Sequence, residues 1–461
     1  MLRQLAMNSL PALGAKTNTR RVWATLWIIV ALLALPAGAR TRPHYGGILR
    51  FEIEGDPWQR PNGLARRLML DGLTRIDANG VVEPALALNW KSENEAHHWE
   101  FQLRPGVHFQ DGSSVTSVTV VNSINVACSA NCPWTAVHAV GSSIVFTGDS
   151  PMPNLPALLS DDEYLIAADA GGNIGTGPFQ LKGFNNAVLT LTANESCWAG
   201  RPFVDAIEIH ARRSIRDQWL DMSVGRADLV EVPVEQLRQA REQHLTVLQS
   251  PLSTLLALRV SSSGALANPD LRWAIALAVD RGALFNVIFQ KQGEVTASLL
   301  PSALTGYAFL FPTERDLNKS REKHGGLTPP PLTLSAEEGG AMQLAAQRIV
   351  LNLHDAGFNV QVVAENGAHP ADLALRRIPL ASNQPAAALE AMLRGAEVNA
   401  PVLAQDPARI YTVERDFLDT HTLIPLLYLP RAYAIGGRVR DLRLGADGTP
   451  QAADAALEDA P

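Results

Sequence analysis

Short apolar runs punctuated by Gly, Pro, Asn and Asp set the pattern of the chain. Gly46 to Ile53 (GGILRFEI) reads as a turn entering a strand. A Pro/Asn loop follows from Asp56 to Asn62, then an amphipathic helix from about Gly63 to Leu70, stopped near Gly72. From Leu73 to Phe109 apolar and polar residues alternate between Asn79-Gly80, Arg104-Pro105-Gly106 and Asp111-Gly112. That is the signature of a β-rich unit with hairpins. Asn79-Gly80 suits a tight turn in which both central residues take positive φ. Phe101, Leu103, Val107 and Phe109 are expected to fill one core.

A helix is expected over Ser117 to Val126, and short strands over Ser143 to Phe146 and Thr190 to Thr192. Strand and helix alternate between Ile207 and Leu237. Asn268 is a good N-cap, Pro269 fits the first helical position and Asp270 favours the helix dipole. Leu271, Ala274, Ile275 and Ala278 then recur at helical spacing, and Asp280 can cap a second helix running toward Gln290. Leu332 to Ser335, Ala341 to Ala356 and Asn359 to Ala364 read strand, helix, strand, which implies a parallel pair joined by a crossover. Leu344, Ile349, Leu351 and Leu353 are available for packing on that helix. Ala371 to Leu375 is a further strand. The Ala/Asp-rich tail after Gly445 is expected to fray.

The first 39 residues change the picture, because they read as an export leader. Arg20 and Arg21 precede an uncharged apolar run from Val22 to Pro36, and Ala37-Gly38-Ala39 supplies the small residues of a cleavage site. The run is shorter than the roughly 20 residues a membrane span needs, so cleavage after about Ala39 is expected. Net charge is −7, and the leader's four basic residues leave the remainder more acidic still. That disfavours nucleic acid as a partner, since phosphate binding needs a basic face. Hydrophobic residues at 46% and charged residues at 18% are ordinary for a globular chain. Of three cysteines, Cys128 and Cys132 could close a small loop in an oxidising compartment, and Cys197 reads as a buried small residue. Neither a Gly-x-Ser-x-Gly elbow, a His-Glu-x-x-His pair nor a Walker loop occurs, so no enzyme, metal site or cofactor is expected.

Seven segments in order carry a resemblance: GGILRFEI, Leu70 to Trp90 (LDGLTRIDANGVVEPALALNW), Trp99 to Ile124 (WEFQLRPGVHFQDGSSVTSVTVVNSI), TGPFQL from Thr176, VGRADLVEVP from Val224, NPDLRWAIALAVDRGALFNVIF from Asn268, and TLIPLLYLPRAYAIGGRVRDL from Thr422. Together they resemble the family 5 extracellular solute-binding proteins, the peptide and nickel binders of ABC importers. The resemblance implies an α/β, bilobal periplasmic-binding-protein fold (type II) with an extra β-rich subdomain. Residues 1–39 would be the signal peptide. Residues 40–75, 168–255 and 425–461 would form lobe I, 76–167 the inserted subdomain and 256–424 lobe II. The protein would be a periplasmic monomer that captures a small peptide or peptide-like ligand in the cleft and passes it to ABC transporter permease subunits. It would meet the membrane only through the transporter and take no nucleic acid and no cofactor. The alternative is a solute sensor or accessory protein on the same fold, with a degenerate site or one for nickel, haem or an anion.

The matching ligand-binding positions are Trp58, Gln59 and Arg60 in the loop after the first strand, Glu231 at the end of the strand after Gly225 to Asp228, Thr254 and Leu255 at the start of the crossing, and Tyr428 on the return strand. Each has a structural alternative: Trp58 as a loop anchor, Glu231 as a solvated charge, Tyr428 as a core aromatic. The second lobe departs from the family. Where peptide binders carry a loop with Trp and Asp, this chain runs Arg376 to Gly395 (RRIPLASNQPAAALEAMLRG). Arg376, Arg377, Ser382 and Asn383 occupy the place, and paired guanidiniums favour a carboxylate or phosphate over an amine.

Overall fold

In a computed structural model the protein is described over residues 44–58, 64–128, 132–169, 171–307, 310–326, 329–337, 340–364, 370–380, 382–396, 403 and 406–458. The expected leader lies outside the described residues.

One large sheet runs through the molecule. Its order is Val360–Val363, Leu332–Ala336, Leu373–Pro379, Thr246–Val260, Leu423–Ile435, Leu229–Glu231, Ile48–Glu52, Ala206–His210, Val188–Ala193 and Phe179–Asn185, with Glu294–Val295 also on Leu423–Ile435. Two of the hydrophobic cores on this sheet mark its halves. One gathers Phe51, Leu68, Phe179, Ile207 and Leu229. The other gathers Leu258, Ile275, Leu334, Ile349 and Leu375. The fold is therefore α/β and bilobal. A third core, around Trp99, Phe101, Ile124, Trp134 and Phe146, fills a separate four-stranded antiparallel sheet. There Phe101, Leu103, Val107 and Phe109 do share one core.

Two long antiparallel strands, Thr246–Val260 and Leu423–Ile435, join the halves. Leu229 pairs with Ile435 at one end, and Leu373 with Val260 at the other. Midway the ladder slips register between Gln249 and Leu252 and again between Leu252 and Thr254. Pro251 and Pro430 stand at those slips and have no N–H to donate, so the ladder is weakest there. The Ser250 hydroxyl repairs part of it by accepting from Arg431 N at 2.9 Å. These breaks make the junction the pliable point of an otherwise bonded sheet.

Local signals explain the elements that form as expected. Asn268 accepts from Asp270 N at 3.0 Å to start the helix Pro269–Ala278. Asp280 accepts from Ala283 N at 2.8 Å. Leu332–Ala336 and Val360–Val363 are parallel, joined through the helix Gly340–Asp355. On that helix Ile349 and Leu353 are buried, whereas Leu344 and Leu351 point to solvent at 53% and 57% exposure. Counting apolar residues overstated the face that packs.

Two further expectations are corrected. At Asn79-Gly80 only Gly80 takes positive φ. Asp77 governs the turn instead, its carboxylate accepting from Asn79 N at 2.9 Å and Val81 N at 2.7 Å. Over its described residues, to 458, the tail does not fray. Ala456–Leu457 pairs with Val439–Arg440, and Ala452, Ala455 and Leu457 enter the first core. Leu457→Ala is expected to cost about 2–3 kcal/mol through the cavity it leaves, read as a lower urea midpoint. An unchanged midpoint would show the tail to be dispensable.

Candidate functional site

Charged side chains gather where the first strand, the junction of the long strands and the second half converge. Glu231 ends its strand opposite Tyr433. Its carboxylate accepts from Glu54 N at 2.6 Å, and its backbone N–H donates to Gln218 Oε1 at 2.9 Å. Glu231 thus ties the loop after the first strand to the helix Ile215–Ser223. Behind it, Glu52 is 5% exposed and lies 3.6 Å from Arg213, which also pairs with Asp221 at 2.6 Å. Burial, with the nearby Asp221 charge and against Arg213, pushes the Glu52 carboxyl up to about 7.

On the facing wall, Arg377 is paired with Glu337 at 2.7 Å and also donates its backbone N–H to that carboxylate at 2.9 Å. Its charge reaches across: it acts on Tyr433 and on Glu235 of the first half. Arg67 adds a pair with Asp162 at 2.6 Å and a longer one with Asp447 at 3.8 Å. Asp447 is held below the usual carboxylate range because, although burial opposes its charge, Arg67 and Arg431 and bonds from Thr449 favour the anion.

Further along, the halves touch. Asn383 donates its side chain to Asn79 O at 2.8 Å and its backbone N–H to Gly80 O at 3.2 Å. A Cβ on Gly80 would lie 2.8 Å from Asn383 Cβ, so this close approach needs glycine. Asn154 bonds Glu390 at 3.0 Å and Leu403 O at 2.7 Å, and Arg394 pairs with Asp161 at 3.2 Å. The gap between these walls is about 10 Å³, room for about one water. A second cavity, about 70 Å³, lies inside the second half and is lined by Trp273, Arg281, Phe311 and His421 among others.

The expected ligand positions divide as follows. Trp58 is half-buried and packs on the first core, its backbone N–H donating to the Asp56 carboxylate at 2.9 Å. Gln59 and Arg60 lie outside the described residues. Glu231 and Arg377 lie near the junction of the long strands, both already bonded to protein groups, while Asn383 sits on the seam. Arg376 is half-buried on the same strand as Arg377. Thr254 is buried, pairing with Pro379 and Leu429. Leu255 and Tyr428 are placed in the core instead, with Leu389 and Met392. The Tyr428 hydroxyl donates to the Leu299 carbonyl. The register slips in the long strands decide which face these two residues take.

Sequence reading missed three groups at this place: Arg431, Tyr433 and Asp447. A usable signal was present for the first, because Arg431 is the one charge within Leu423–Ile435, a run of apolar residues. It also missed Gln110, whose amide donates to Met69 O at 2.9 Å and Phe179 O at 2.7 Å and so clamps the third core to the first. Cys128 and Cys132 are disulfide-bonded. Cys197 is half-buried, and burial raises its thiol. Among the described residues no cluster of three or more His, Cys, Asp or Glu could hold a metal ion. No helix there is long and apolar enough to cross a membrane.

The family model for bacterial extracellular solute-binding proteins, family 5 (middle), matches residues 81–399, and the chain belongs to that family. Its members bind solutes for transporters and are not enzymes as a class. The chain is similar to "Probable di/tripeptide-binding protein 5" of Pseudomonas aeruginosa, 25% identical over 415 residues, covering 75% of this chain and 78% of the relative. It is also similar to "Probable D,D-dipeptide-binding periplasmic protein DdpA" of Escherichia coli, 26% identical over 323 residues. That match covers 64% of this chain and spans 59% of the relative's length. Among solved structures, the ABC transporter-associated periplasmic binding protein DppA from Helicobacter pylori, in complex with peptide STSA, shares the fold at TM-score 0.78 and 18% identity, over 90% of this chain and 99% of that one.

Proposed function

We propose that the protein is the exported substrate-binding component of an ABC importer, capturing a peptide or peptide-like solute between its halves in the periplasm and presenting it to the permease. The observation that carries this reading is the pair of long strands broken at Pro251 and Pro430, with charged groups from both halves gathered beside the break. Rigid halves on a weak ladder favour hinge closure, and the names of the relatives supply the peptide class. The lobe boundaries expected from the sequence, the leader cleaved after about Ala39, a monomeric state and the lack of enzymatic activity belong to the same proposal.

The test is thermal unfolding of the exported protein against a peptide panel. A ligand at about 100 times its Kd adds roughly 2.7 kcal/mol. No shift from any peptide would sink peptide capture. The sensor alternative draws on one feature: Arg377, expected to meet an anionic ligand, is committed to Glu337.

The contacts across the seam define a closed form, and a double substitution tests that. Asn383→Ala with Arg394→Ala removes two exposed contacts worth about 0.5–1 kcal/mol each. The ligand-free protein is then expected to shift several-fold toward an open form, read by small-angle X-ray scattering as a larger radius of gyration. An unchanged radius would show that these contacts do not hold the halves together.

A further inference from the structure

We propose that the cavity inside the second half is a binding site for a short-chain aliphatic carboxylate, anchored by Arg281 and separate from any capture between the halves. This goes beyond the transport reading and does not depend on it.

The cavity is about 70 Å³, and Trp273, Phe311, Leu418, His421 and Leu423 line it with Arg281. Arg281 opens the short helix Arg281–Ala283, which Asp280 caps. His421 stands between the helix Pro407–Leu418 and the long strand Leu423–Ile435, its backbone left-handed at φ 53°. Its ring centroid lies 6.0 Å from that of Trp273 and 6.2 Å from that of Phe311. Burial holds the His421 imidazole below its usual range, so at neutral pH it adds no charge to the wall.

Arg281 is 5% exposed, and its guanidinium carries five N–H donors. Nε donates to Pro425 O at 2.8 Å. Among the described residues the guanidinium makes no other hydrogen bond, and no carboxylate lies within 4.0 Å of it. Arg272, 9% exposed on the preceding helix, shows what a purely structural arginine does here. It donates to Thr420 O at 2.8 Å, Leu266 O at 2.7 Å and Ala267 O at 3.0 Å. Glu314, exposed at the rim, does not balance the Arg281 charge: burial outweighs it and brings the guanidinium down to about 10.

A buried cation with open donors is unfavourable until an anion joins it. Water would satisfy those donors but finds no partner on Leu418 or Leu423. A carboxylate matches the guanidinium fork, and its alkyl tail takes the apolar walls out of water. Size selects the tail. An apolar cavity of ~150 Å³ accepts benzene, and this one has about half that room, which suits a few carbons better than a ring. Pro312 and Glu314, both exposed, mark the way in from solvent.

The test is calorimetric titration of the exported protein with isobutyrate, isobutyramide, benzoate and inorganic phosphate. Wild type is expected to bind isobutyrate at least tenfold more tightly than each of the others. Arg281→Met is expected to lose the preference for acid over amide. Because Arg281 also supports the Pro425 carbonyl, a second variant leaves it in place. Ala276→Leu fills the cavity from the helix Pro269–Ala278 and is expected to weaken isobutyrate binding at least tenfold, with an unfolding midpoint near that of wild type. A saturating dipeptide mixture is expected to leave isobutyrate binding unchanged.

Equal binding of acid and amide by wild type overturns Arg281 as the anchor. Full binding by folded Ala276→Leu, or displacement by dipeptides, puts the acid elsewhere and overturns the site. Tighter binding of benzoate or phosphate overturns the assigned class. Binding of no probe overturns the proposal as a whole.

Discussion

Arg438→Ala is expected to destabilise the protein by about 3–5 kcal/mol, the largest single effect at a surface-reaching residue. Its guanidinium holds Asp228 at 2.6 and 2.7 Å and donates to Ile48 O at 3.1 Å. The Asp228 carboxylate is buried, with its side chain only 4% exposed, and also accepts from Arg50 N at 2.9 Å. One ion pair thus joins the first strand, the segment before Leu229 and the C-terminal segment. Removing the arginine leaves a buried charge with the Arg50 backbone N–H as its remaining donor, so the loss exceeds that of an exposed pair. Arg438→Lys keeps the charge but not the fork, and should recover only part of it. Urea unfolding of the three proteins checks this. A midpoint for Arg438→Ala close to wild type would mean that water replaces the guanidinium without cost.

The second large effect is a pH dependence centred on Glu52. Burial, helped by Asp221, raises its carboxyl to about 7. A folded form that holds a proton more tightly than the unfolded chain gains stability from it in acid. That contribution is fully present below about 4.5 and is lost as pH rises through about 7. Between pH 8 and pH 5 wild type should therefore become more stable by roughly 2–3 kcal/mol from this group. Glu52→Gln carries no titration and should lessen the slope without abolishing it, since burial also raises Asp71, Asp161, Glu235, Glu390 and Glu414, and its advantage over wild type should be greatest at pH 8. Asp447, Asp77 and Asp355 are all held below their usual range and act with the opposite sign, but only in stronger acid, outside this window. Parallel profiles for wild type and Glu52→Gln would assign the dependence elsewhere.

Much of the architecture was legible residue by residue. Asn268, Pro269 and Asp270 announce a helix start because capping and dipole act within one turn. Leu332 to Ala364 announces a parallel pair because period two gives way to helical period and back. The β-rich unit follows from Pro105-Gly106 and Asp111-Gly112 between alternating strands. The candidate site was legible only as a neighbourhood: Glu231 and Arg377 fall near the junction of the long strands, but Leu255 and Tyr428 face the core. Likewise the tail, polar enough to read as loose, docks because Val439–Arg440 offers it a partner and the first core has room for Leu457.

By itself, then, the sequence determined what short-range physics can decide: helix starts, turns, strand alternation and the family they compose. Tertiary structure alone decided which charges are already spent and which face each junction residue takes. Glu337 neutralises Arg377 from forty residues away, and Glu231 faces Tyr433 across two hundred. A slip of one position in a strand exchanges core for crevice, and no local pattern records where the slip occurs.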